Sequence, residues 1–179
     1  MWAAENEIIV KLTKLRSMKK RNSVYIVCDN IRSLYNIGAI FRTSDAANVK
    51  KIYLCGITGY PKDDPNWFPT KRIEKTALGA NKTVPWEYVE NCKSKIEDLK
   101  KKGVKIYVLE NIRTAELYNS TSYTFPCALV LGHEVKGVSD EIIKLADKVV
   151  KIPMYGTKTA LNVEAAYAIA IYKIIEHLN

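Results

Sequence analysis

The sequence is poor in the residues that build the common nucleotide and metal sites. It holds 8 glycines in 179 residues, and no two are separated by a single residue. The GxGxxG turn of dinucleotide-binding proteins is therefore absent, and no GxxxxGK[ST] phosphate loop occurs either. No GxSxG elbow is present, which removes support for a serine hydrolase. The four cysteines, Cys28, Cys55, Cys92 and Cys127, form no CxxC pair, and the two histidines, His133 and His177, stand at no zinc-finger spacing. Buried free thiols are expected, with no disulfide scaffold and no metal. No apolar run reaches the ~18 residues of a membrane span. Glu5 and Glu7 precede the first apolar stretch, unlike a signal peptide, so a cytoplasmic protein is the expectation. Acidic residues are also short: 19 against 28 Lys and Arg give a net charge of +9. A surface of that sign attracts polyanions, nucleic acid foremost.

What is present alternates in period. Residues 7–20 place Ile8, Leu12 and Leu15 on one helical face and lysines mostly elsewhere, so residues 1–22 are expected to carry a basic amphipathic helix ahead of a domain spanning 23–179. From there, β-rich runs at Val24–Asp29, Lys50–Gly56, Lys105–Glu110, Cys127–Gly132 and Lys148–Pro153 read as strands. Helical stretches are expected over about Ile37–Ala47, Glu87–Lys102 ending at Gly103, Ser139–Ala146 and Leu161–Leu178. This alternation predicts an α/β fold with a largely parallel sheet flanked by helices. The segment from Ile57 to Thr83 has no clear period and carries Lys62, Lys71, Arg72 and Lys75, so it reads as a basic functional loop.

Ligands of parallel sheets bind where loops leave the carboxyl ends of the strands. Three such segments are rich in suitable groups. Asn30–Ala46 (NIRSLYNIGAIFRTSDA) follows the first strand, with Asn30, Arg32 and Asn36 in a donor-rich turn and Arg42 further along the helix. Ala128–Ser139 (ALVLGHEVKGVS) ends a strand in Gly132, then places Glu134 where a carboxylate can fix an amide or guanidinium. Lys151–Tyr172 runs from Ile152-Pro153-Met154 through a glycine loop to Asn162, which is placed to cap the last helix.

Taken in order, the patterns NxxxxxNxGAxxRT, LGxExxGxS and IPMxGxxxxLNV resemble the SpoU/TrmH branch of the SPOUT RNA methyltransferases, from about Val24 to the C-terminus. KTALGA (Lys75–Ala80) also resembles that family's intervening loop. The resemblance implies a SPOUT fold with a C-terminal deep trefoil knot and S-adenosyl-L-methionine as methyl donor. It also implies a homodimer with the active site shared across the subunit interface, of which the final apolar helix is expected to form part, and a ribose 2'-hydroxyl of RNA as acceptor. The compact chain, with only a short basic helix ahead of its domain, puts tRNA ahead of rRNA as the expected substrate. Carried over by motif, Arg42, Asn36, Glu134 and Asn162 form the catalytic set. Leu109, Gly132, Ile152, Met154 and Leu161 line the cofactor pocket. Asn30, Arg32, Lys71, Arg72 and Lys75 are the expected RNA contacts. A guanidinium stays protonated, so Arg42 is expected to hold phosphate or steady alkoxide charge as an alternative to acting as a base.

One position departs from the family pattern. Ala160 stands where a serine is frequent, with Thr159 beside it. Two other readings therefore stay open, a non-catalytic RNA-binding protein of the same fold and a knotted base methyltransferase.

Overall fold

The computed structural model describes residues 20–64 and 66–178. The amphipathic helix expected over residues 7–20 lies, apart from Lys20, outside the described residues.

Seven strands form one sheet: β1 (Asn22–Asp29), β2 (Val49–Cys55), β3 (Trp86–Val89), β4 (Lys105–Leu109), β5 (Glu116–Leu117), β6 (Cys127–Leu131) and β7 (Lys148–Lys151). Their order across the sheet is β3-β2-β1-β6-β4-β7-β5, and every pairing is parallel. Alternate side chains divide the core between two faces, as the period-2 geometry of a strand requires. Val24, Ile26 and Cys28 of β1 and Cys127, Leu129 and Leu131 of β6 point to one face. Val27, Ala128 and Val130 point to the other.

The first face is covered by α1 (Leu34–Ala46), α2 (Phe68–Ala77), α3 (Ala80–Thr83) and α6 (Val163–Glu176). The second is covered by α4 (Cys92–Lys101) and α5 (Asp140–Leu145). Burial of both faces explains why β1, β2, β4 and β6 read as nearly continuous apolar runs. All four cysteines are buried as free thiols, and burial pushes the Cys127 thiol up to about 12.

Two expectations change. The helix expected over Glu87–Lys102 is an edge strand followed by a shorter helix. Asn91 ends the strand segment by accepting from Ser94 N at 3.0 Å, which caps α4. The supposed loop at 57–83 contains two helices. Only Thr70, Ile73 and Ala77 of α2 are buried, so its apolar stripe is too thin to register as a period. Gly38 compensates for that thin stripe. A Cβ there would collide with Thr76 and the Ile73 carbonyl, so glycine allows α2 to cross α1 at backbone contact. Gly38 is thus a helix-crossing residue inside α1.

The four central strands end at one level. Cys28 pairs with Leu131, Leu131 with Leu109, and Leu109 with Val150. Their carboxyl-end loops therefore emerge side by side, although they are far apart in sequence.

Candidate active site

The loop after β6 turns tightly. His133 N donates to Gly137 O and Gly137 N returns to His133 O, at 3.2 and 2.8 Å. His133 Nδ1 accepts from the amides of Val135 and Lys136 at 3.0 and 3.2 Å, which holds the tip of the turn. Gly137 lies at φ +68°, in the left-handed region that favours glycine. A Cβ there would also strike the carboxylate of Glu110. That carboxylate accepts from Asn111 N at 3.0 Å and Val138 N at 2.9 Å, tying the loop after β4 to the loop after β6. Asn111 Nδ2 then donates to Thr159 O at 2.8 Å and brings in the loop after β7.

The turn delivers Glu134 to the start of α1. Its Oε2 accepts from Arg32 N at 3.0 Å, and its Oε1 accepts from Ser33 N at 2.9 Å and Asn36 Nδ2 at 3.2 Å. Burial alone would raise the Glu134 pKa. The amides of Arg32, Ser33 and Glu134 itself, with the Asn36 side chain, outweigh that and hold it below the ordinary carboxylate value. Glu134 is therefore an ionised acceptor at neutral pH, suited to positioning rather than to taking a proton.

This fixes the next two side chains in turn. Asn36 must present its NH2 to the carboxylate, which leaves Oδ1 to accept from Asn162 Nδ2 at 3.2 Å. Asn162 must then turn its own oxygen to Glu164 N, at 2.9 Å, as the cap of α6. Each end of the Asn36 amide is held by a different segment. The series continues through Glu164, whose Oε1 accepts from Thr43 Oγ1 at 3.0 Å on α1.

Beside this chain lies a cavity of about 260 Å3. Leu109, Gly132, Ile152, Met154 and Leu161 all line it, as do Glu134, Asn162 and Ala160. Its size is near the low end of small-ligand cavities, roughly 300–1,000 Å3. Its charged members are already bound by protein groups. Glu110 and Glu134 are engaged as described, and Lys151 Nζ donates to the carbonyls of Ile112 and Arg113 at 3.2 and 3.4 Å. An entering ligand meets apolar side chains and loop backbone instead of a phosphate cradle.

Asn36, Glu134 and Asn162 are thus brought together, but Arg42 is not with them. Six residues along α1 put Arg42 about 9 Å further on and about 120° around the axis from Asn36. It is exposed and lines a separate hollow with Ala39, Thr43, Glu164, Ala168 and Tyr172. Asn30, at φ +58°, donates from Nδ2 to Asp29 and accepts at Oδ1 from Ile57 N, so its amide braces the loop. Arg32, Lys71, Arg72 and Lys75 are all exposed. Sequence reasoning missed Glu110 and Asn111, the ties between the three loops. A carboxylate at the carboxyl end of a predicted strand, Lys105–Glu110, was the available signal for Glu110.

A parallel α/β protein with a cavity at the carboxyl ends of adjacent strands, rimmed by a Glu–Asn–Asn series and lacking a glycine-rich phosphate loop, is of the class that binds a small ligand between its strand-end loops. The chain belongs to the SpoU rRNA methylase family, whose family model matches residues 23–172. It is 33% identical over 165 residues to the tRNA (guanosine(18)-2'-O)-methyltransferase of Aquifex aeolicus, which covers 91% of this chain and 74% of that one. The crystal structure of the A. aeolicus TrmH/SpoU tRNA modifying enzyme superposes with a TM-score of 0.79, covering 93% of this chain and 82% of the other at 33% identity. The SpoU methyltransferase AviRb from Streptomyces viridochromogenes, solved in complex with AdoMet, shares the fold at 20% identity and a TM-score of 0.76, covering 91% and 60%.

Proposed function

We propose that this chain transfers a methyl group from S-adenosyl-L-methionine to a ribose 2'-hydroxyl of RNA, tRNA ahead of rRNA. The observation that carries the reading is the Asn36 amide, held from one side by Glu134 and from the other by Asn162 at the rim of an apolar cavity. The cavity suits this cofactor, which carries an adenosine and an amino acid but no phosphate. Leu109, Gly132, Ile152, Met154 and Leu161 would hold it. Bound there, the cofactor supplies an electrophilic methyl whose sulfur leaves as a neutral thioether. The protein's task is then alignment and charge. Glu134 keeps Arg32, Ser33 and Asn36 in one geometry, and Asn36 with Asn162 marks where the ribose edge sits.

Arg42 completes the site from a second copy of the chain. Its distance from Asn36 along α1, and the hollow it shares with α6, support a homodimer in which each Arg42 serves the partner's cavity. There the guanidinium holds the RNA phosphate and steadies charge developing on the 2'-oxygen as the hydroxyl proton passes to that phosphate or to water. Tyr172 of α6 lines the hollow and is exposed, as is Ile169 three residues before it on the same helix, apolar surface that a second chain would cover. The trefoil knot belongs to the same reading, its strands being those whose loops are tied together by Glu110 and Asn111. No described helix is long and apolar enough to cross a membrane, and we assign the protein to the cytoplasm.

The positive charge is only partly compensated, and the three cations that α2 carries beside α1 support an RNA face there. Lys51 and Lys95 pair with Glu87, Lys100 and Lys105 with Asp147, and Lys148 with Glu116. Among the described residues, Lys71, Arg72 and Lys75 of α2 pair with no carboxylate, and α2 packs on α1 next to Asn36. We assign these three and Arg32 to RNA contacts, and Asn30 to bracing the loop that presents Arg32. The test is incubation with methyl-labelled cofactor and bulk tRNA or rRNA, followed by nucleoside mass spectrometry. Label on ribose is the expected result. Label on a base, or cofactor binding without transfer to either RNA, overturns it.

A further inference from the structure

The proposed methyl transfer makes no use of two exposed rings that stand beside the cations of α2. The Arg72 guanidinium lies 4.4 Å from the centroid of the Phe68 ring and 5.5 Å from that of Tyr35. Lys75 Nζ lies 5.9 Å from the Tyr35 ring. Phe68, Arg72 and Lys75 follow at i, i+4 and i+7, one face of a helix. Tyr35 comes from α1, immediately before Asn36. Thr76 Oγ1 donates to the Tyr35 carbonyl at 2.9 Å and fixes the two helices at this point. Phe68 is 57% exposed and Tyr35 is 40% exposed, so both rings are open to solvent rather than part of the core.

We propose that Tyr35, Phe68 and Arg72 form a stacking platform for an unpaired base flanking the methylated nucleotide, so that the substrate presents its target in a loop or single strand. A planar cation beside two exposed rings matches the π-face of a nucleobase. The neighbouring Lys71 and Lys75 match the phosphates on either side of it. A base inside an A-form helix has both faces covered by its neighbours and cannot reach the platform. Placing the platform beside the target ribose rests on the methyltransferase reading, through the adjacency of Tyr35 and Asn36. The stacking itself does not depend on it.

The experiment compares two RNAs of equal length and charge, a hairpin with an unpaired loop and a full duplex, binding the full chain at fixed salt. Stacking on one aromatic residue implies that Phe68→Ala weakens hairpin binding roughly 5- to 150-fold. Duplex binding changes by less than about two-fold, because the lost contact carries no charge. Phe68→Trp retains hairpin affinity, which separates a lost ring from a damaged fold. Arg72→Lys keeps the charge and still weakens the hairpin selectively. Unchanged hairpin binding by both Phe68→Ala and Tyr35→Ala overturns the platform, as does an equal loss on hairpin and duplex. Methylation assayed on bulk tRNA and rRNA keeps the two readings apart. A protein whose variants show the stacking pattern but which transfers no methyl to either RNA refutes the enzyme and leaves the platform standing. An active protein whose Phe68→Ala and Tyr35→Ala variants both bind the hairpin unchanged does the reverse.

Discussion

Replacing Glu134 by glutamine is the sharpest test of how the site is held. The carboxylate accepts three N–H groups, two at Oε1 and one at Oε2. Glutamine serves the pair at Oε1 with its oxygen but then turns its NH2 toward Arg32 N, donor against donor. A hydrogen bond to a charged group contributes roughly 1.5–3 kcal/mol, and solvent access at this exposed residue reduces that. We expect Glu134→Gln to cost about 1–2 kcal/mol at neutral pH. The pH dependence gives a second reading. Burial raises the Glu134 pKa, but the surrounding N–H groups bring it to a net value below the ordinary 4.5. A depressed carboxyl pKa means that its stabilisation is fully present above about 4.5 and is lost as pH falls through the lower, folded-state value. The gap between wild type and Glu134→Gln should therefore be widest near neutrality and shrink in acid. Urea unfolding midpoints at about pH 7 and about pH 3 measure it. Because the NH2 forced against Arg32 N displaces the side chain that holds Asn36, kcat should fall roughly 10- to 100-fold, the scale set by a misplacement of ~1 Å. Equal stability at both pH values, or a gap that widens in acid, would refute the account of Glu134 as an ionised clamp.

How far this was legible in the sequence varied with what holds each element. Strands buried on both faces carry their own signal, and β1, β2, β4 and β6 were found within two residues at either end. The edge strand β3 was absorbed into a helix because the charged run after Cys92 dominates the window, although Trp86 and Tyr88 alternate as a strand would. Helix α2 escaped because its place depends on Gly38 in another helix, a tertiary fit that no local period expresses. The same division runs through the site. Asn36, Glu134 and Asn162 follow strand ends, and the parallel topology alone makes such positions neighbours. Their mutual order, with each amide oriented by the one before, depends on the turn closed by His133 and Gly137. The separation of Arg42 follows from helix geometry, since six residues cannot return a side chain to the flank it started from. Ala160 lines the cavity with a methyl group, while the Thr159 carbonyl beside it is taken by Asn111. A serine hydroxyl at position 160 is therefore not what ties this loop to its neighbours.

Two further predictions follow from the same geometry. Gly137→Ala forces an L-residue into a left-handed turn, at a cost of roughly 1–2 kcal/mol, and drives a methyl into Glu110. A melting temperature lower by about 2–8 °C is expected from that cost and the chain length, with weaker cofactor binding by calorimetry, because Gly137 also lines the cavity. Arg42→Ala should reduce kcat at least roughly 100-fold while leaving cofactor affinity and melting temperature unchanged, since Arg42 is exposed and borders a different hollow. Its decisive form is a mixture with Asn36→Ala, each variant being inactive alone. If Arg42 serves the partner's site, every mixed dimer contains one site with both residues intact and one with neither. Random exchange makes half the dimers mixed, so activity should recover to about a quarter of wild type. Were Arg42 to act within its own chain, every site in the mixture would lack one residue, and re-equilibration would restore nothing.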